Sequence, residues 1–104
     1  MKKIFIDVDN PLFKKEIIEI VCSLYPEKSE FVQEMIEDEV NILIISAEKM
    51  MEDPSIYKVA GAIVIAVSRM QAHLVKVEAD YKLQDYQITR FDEEAEEIFN
   101  LLLQ

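Results

Sequence analysis

The sequence predicts a mainly α fold, a small bundle of about four helices built on a long antiparallel helical hairpin. Three observations point there. The chain has one glycine and three prolines, too few turn-formers for a many-stranded sandwich or barrel. Asn10-Pro11 and Asp53-Pro54 each set a capping residue before a proline. That pairing opens helices, because the cap side chain accepts from an orphan backbone N–H and proline has no N–H to leave unpaired. Finally, Ile56, Ala60, Ile63, Val67, Met70, Leu74, Val77 and Tyr81 follow alternating steps of four and three, a heptad seam.

Taken in order, residues 3–8 have strand composition. A first helix over 11–24 puts Phe13, Ile17, Ile20, Val21 and Leu24 on one stripe. A second over 27–51 carries Val32, Ile36, Leu43, Ala47 and Met50 inward, and Glu30, Glu34, Glu37 and Asp38 outward. A third over 54–81 carries the seam and is apolar almost all round in its first half. A buried strand over 59–67 is the rival reading there; the unbroken seam favours the helix. Residues 86–91 have strand composition and are expected to pair with 3–8 as a short two-strand ribbon, an extended arm and a loop being the alternative. A fourth helix over 93–103 is capped by Asp92.

The 104 residues fit a single helical domain spanning 1–104, and 51% apolar content is enough for a core. Twenty-one acids against eleven bases leave a net charge of −10, which repels nucleic-acid phosphates and anionic membranes. The charge is uneven: residues 29–53 hold eight acids and one lysine, and 92–104 hold five acids and no base. The longest charge-free stretch, 59–68, is ten residues, half of what a membrane span needs. Only three apolar residues separate Lys3 from Asp7, so no secretory signal is expected and the cytoplasm is the expected compartment. The single cysteine, Cys22, excludes an internal disulfide.

Two motifs carry candidate chemistry. Ile4-Phe5-Ile6-Asp7-Val8-Asp9-Asn10-Pro11-Leu12 resembles the first motif of haloacid-dehalogenase-like phosphatases, an apolar strand ending in Asp-x-Asp and then x-Thr-Leu. The resemblance implies Asp7 as nucleophile and Asp9 as general acid and base. Pro11 stands where that family has threonine, and the later lysine and Gly-Asp-x-x-x-Asp have no counterpart. No doubly wound alternation of strands and helices is expected either. The simpler reading is a strand end whose Asn10-Pro11 caps a helix, with Asp7 and Asp9 solvated. The second motif is a carboxylate set, Glu16 and Glu19 on one helix and Glu34 and Glu37 on the next, similar to the all-α nucleotide pyrophosphohydrolases. That resemblance implies Mg²⁺ held against a pyrophosphate. Here Lys15-Glu16 replaces the family's Glu-Glu and Glu37 its final Asp, so a solvated acidic face is the plainer reading.

His73 and Cys22 are each alone of their kind, and no zinc or di-iron spacing exists. No cofactor is expected, Mg²⁺ entering only with the pyrophosphohydrolase alternative. The expected function is protein–protein interaction or assembly, as a homodimer or with another protein, and not an enzyme. The expected interface is Met70, His73, Leu74, Val77 and Tyr81 of the third helix with Ile98, Phe99 and Leu102 of the fourth. A further alternative is an acidic inhibitor that mimics nucleic acid. No direct contact with nucleic acid or a membrane is expected.

Overall fold

Five parallel strands, not a helical hairpin, organise the chain. The computed structural model describes residues 2–34, 39–53, 62–84 and 88–103. The strands are β1 (Lys2–Asp7), β2 (Ser29–Phe31), β3 (Ile42–Ser46), β4 (Ile63–Ser68) and β5 (Tyr81–Gln84). They lie in the order β2-β1-β3-β4-β5. The helices are α1 (Pro11–Leu24), α2 (Ala47–Glu52), α3 (Gln71–Lys76) and α4 (Ile88–Leu103). This alternation and this strand order make a doubly wound α/β sheet of flavodoxin-like order.

Composition explains the central strands. Ile42, Leu43, Ile44 and Ile45 of β3 are all fully buried. A parallel strand covered on both faces is a continuous β-branched run, not an alternating one. Ile42 and Ile44 face a core shared with Ile4, Ile6, Ile65, Val67 and Leu83, closed by Phe13, Ile17 and Val21 of α1 and Ala95, Phe99, Leu102 and Leu103 of α4. Leu43 and Ile45 face the other core, with Ala66, Ala47 and Met50 of α2, Leu74 of α3 and Val77. The winding direction reverses between β1 and β3. Right-handed crossovers then put α1 on one face of the sheet and α2 and α3 on the other.

Local chemistry fixes the register. The Asn10 side chain accepts from the Leu12 N–H at 3.0 Å, and Pro11 opens α1. Asn41, just before β3, accepts from the Lys3 N–H through its side chain at 2.8 Å and donates its own N–H to the Lys3 carbonyl at 2.9 Å. Asp80, just before β5, does the same to Val64 of β4, at 2.8 and 2.9 Å. Each side chain adds one rung to the ladder before its strand begins.

Several expectations are overturned. The mainly α bundle, the all-α assignment and the hairpin give way to the parallel sheet. The helix over 27–51 is replaced by β2, β3 and α2, and the part of 54–81 from Ile63 onward by β4, α3 and β5; residues 54–61 lie outside the described ones. The rival strand over 59–67 is met from Ile63 onward. Of the proposed ribbon, 3–8 forms most of β1, which pairs in parallel with β2 and β3. Residues 88–91 are helical, and 85–87 are outside the described residues. Helix α4 begins at Ile88, so Asp92 sits within it and is not its cap.

The heptad seam misled for a physical reason. Val67 and Tyr81 pack on the α1/α4 side of the sheet, and Leu74 and Val77 on the α2/α3 side. One sequence period therefore crosses two separate cores. Among the described residues, no helix is long and apolar enough to cross a membrane.

Candidate functional site

The strands end on polar residues: Asp7, Ser46, Ser68 and Gln84 for β1, β3, β4 and β5. In an open parallel sheet the loops after these ends gather at one edge, and ligands bind there beside the point where the strand order reverses, here between β1 and β3. A cleft of about 200 Å³ lies at that edge. Val8, Phe13 and Val67 give it an apolar floor, and Asp9, Asn10, Ser46, Glu48, Ser68 and Arg69 polar walls.

Two linked networks tie the edge together. Lys49 of α2 donates to Asp7 Oδ1, and its Nζ lies 3.3 Å from Asp9 Oδ1. Hydrogen bonding to Asp7 holds the ammonium above its usual range, partly opposed by burial and reinforced by the charges of Asp7 and Asp9. Beside it, the Ser68 hydroxyl donates to Glu48 Oε1 at 2.6 Å, and His73 Nδ1 lies 3.0 Å from the same oxygen. Burial pushes the Glu48 carboxyl up, but hydrogen bonds from His73, Ser68 and its own backbone outweigh this and hold it below its ordinary range. The Ser68 oxygen also accepts from the Met70 N–H at 3.0 Å, which turns the chain into α3. Ser46 Oγ accepts from the Asp9 N–H at 3.1 Å.

This arrangement is not an acyl-transfer triad. Glu48 stands between Ser68 and His73, whereas an acyl-transfer triad needs the imidazole between the hydroxyl and the carboxylate. A carboxylate held below its usual pKa is a weak base for the serine. Asp7 sits at the strand end, as the Asp-x-Asp resemblance requires, in the doubly wound sheet that the sequence was not expected to form. Its Oδ1, however, accepts from Lys49.

The predicted site residues fall apart. Glu16 and Glu19 lie on α1, where Glu19 pairs with Lys15 at 3.9 Å. Glu34 follows β2, and Glu37 is outside the described residues. With β2 and β3 in place of the second helix, the two-helix cradle required for pyrophosphate is missing. Among the described residues, no group of three His, Cys, Asp or Glu side chains is placed to hold a metal. Of the predicted interface, Leu74, Val77, Phe99 and Leu102 are buried in the chain's own cores. His73, Tyr81 and Ile98 are half-buried, and Met70 is exposed.

Ser46, Glu48, Lys49 and Ser68 were not singled out from the sequence. The available signal was the repetition of short apolar runs that each end on a small polar residue: IFID, ILIIS and IAVS. No protein-family model, curated protein or solved structure matches this chain.

Proposed function

We propose that the chain is a non-catalytic interaction domain that assembles with a second copy of itself. The observation that carries this is the tie at the sheet edge. Lys49 holds Asp7 and Asp9, and Ser68 and His73 hold Glu48, so the groups suited to chemistry are engaged with one another. The α3 region supports the choice of interaction over chemistry: Met70 is 54% and Val75 70% exposed, with the half-buried His73 between them. Apolar side chains left this open suit a partner surface. The single cysteine, exposed Cys22, suits a reducing compartment, and we take the cytoplasm as its site of action.

Sedimentation equilibrium at micromolar concentration tests the assembly. A mass twice 12.1 kDa, reduced in a Val75→Glu variant that remains folded, supports it. A mass of 12.1 kDa up to high micromolar concentration contradicts it. The absence of catalysis is tested with Mg²⁺ and a phosphomonoester panel. Turnover that disappears in Asp7→Asn would replace this reading with a phosphatase.

A further inference from the structure

We infer that the crevice between α1 and the ends of β1 and β2 binds a short branched monocarboxylate. Ile6 of β1, Ile18 of α1 and Phe31 of β2 line it, with Val32 beside them and the exposed Lys14 and Gln33 at its rim. The backbone supplies the first observation. Successive residues of a parallel strand direct their backbone groups to opposite neighbours. The Lys3 carbonyl accepts from Asn41, on the β3 side, and the Ile4 carbonyl from Val32, on the β2 side, both at 2.9 Å. The Ile6 N–H and carbonyl, two residues beyond Ile4, therefore face the β2 side too. β2 stops at Phe31, and among the described residues no backbone group beyond the Val32 N–H continues the ladder there. The Ile6 N–H is thus a donor without a strand partner, in a residue only 7% exposed. A buried N–H needs an acceptor.

Lys14 supplies the second, independent observation. It is the one charged residue among those that line the crevice. Its neighbour Lys15 pairs with Glu19 at 3.9 Å, whereas among the described residues no carboxylate forms an ion pair with Lys14. The crevice therefore offers a backbone donor and a cation, and an anion satisfies both. The net charge of −10 acts from farther off, and salt screens exposed charges beyond a Debye length of about 8 Å. Size narrows the choice. The space is about 70 Å³, far below the roughly 300–1,000 Å³ of larger ligand sites, which excludes a nucleotide. One water takes about 30 Å³ of liquid, so an apolar body of about three carbons fills the crevice. The occupant is therefore a carboxylate on a short branched chain. One oxygen accepts from the Ile6 N–H, the other meets the Lys14 ammonium, and the alkyl group packs on Ile18 and Phe31.

The test is an amide NMR titration of the intact chain with three probes of similar shape: isobutyrate, the uncharged isobutyramide and the cation isobutylamine. Isobutyrate at millimolar concentration is expected to shift the amides of residues 6, 32 and 33 saturably. Isobutyramide is expected to bind about fivefold more weakly, and isobutylamine not at all. Lys14→Gln, at an exposed side chain, is expected to fold normally and to bring isobutyrate down to the level of isobutyramide. Gln33→Glu, which sets a carboxylate at the rim, is expected to abolish isobutyrate binding and to leave isobutyramide binding in place. Added salt reads the charge contact without any substitution, and is expected to weaken isobutyrate alone. Absence of saturable shifts at these amides, equal binding of isobutylamine, or isobutyrate binding that ignores both salt and Lys14→Gln would overturn the site.

Discussion

Glu48 in the first turn of α2 and Ser68 at the end of β4 meet at 2.6 Å, twenty residues apart in the chain. The ionised carboxylate has only acceptor capacity, so the Nδ1 of His73 facing it at 3.0 Å must carry a proton. The three side chains join α2, β4 and α3 on one face of the sheet.

That junction predicts an acid-side pH dependence. A carboxyl whose folded pKa is depressed stabilises the protein above its unfolded pKa and loses that contribution as pH falls through the folded one. Glu48→Gln should therefore be less stable than wild type near pH 7, by about 0.5–1.5 kcal/mol given its part exposure. The gap should close as pH falls below the ordinary carboxylate range and through the lowered folded value. Urea denaturation from pH 7 into the acid range checks it, and a gap that does not narrow as pH falls contradicts it. Lys49 acts at the other end. Its raised pKa gives stability that is complete below its ordinary value of 10.5 and lost as pH climbs above it.

Leu74 should not tolerate charge. It is 4% exposed and belongs to the α2/α3 core. Leu74→Glu buries an unpaired carboxylate at a cost of several kcal/mol, against a total stability of about 5–15. The variant is expected to lose its cooperative melting transition by circular dichroism. A folded Leu74→Glu chain would mean that α3 presents this side chain outward.

Asn10→Ala removes the cap of α1 and should cost about 1 kcal/mol, with Asn10→Asp close to wild type. Chemical denaturation of the two variants separates the lost cap from a general effect of the position.

What could be read from the sequence depended on how many faces an element buries. In β1, Ile4 and Ile6 are buried and their neighbours are less so, which leaves a period of two in residues 3–8. Asn10-Pro11 marks the start of α1, and the 93–103 stripe marks most of α4. In β3 both faces are buried, and the period disappears. Its isoleucines then fit a 3.6 repeat as well as any other. Short helices of six residues, α2 and α3, gave no stripe long enough to separate from the strands before them. At the site, Asp7 and Asp9 were legible as a motif. Lys49 was not, because its partners lie 42 and 40 residues earlier and only the β1–β3 pairing brings them together.

The central claim is that Lys49 ties down the strand-end carboxylates, and a double-mutant cycle tests it most directly. Both side chains of the Lys49–Asp7 pair are less than a third exposed, so the pair is only partly screened. Stability is measured by denaturation for wild type, Asp7→Asn, Lys49→Met and the double variant. The account predicts a coupling of about 1–3 kcal/mol, with Lys49→Met the more damaging single change because it leaves Asp7 and Asp9 without their shared counter-ion. A coupling within error of zero, with Lys49→Met as stable as wild type, would contradict it.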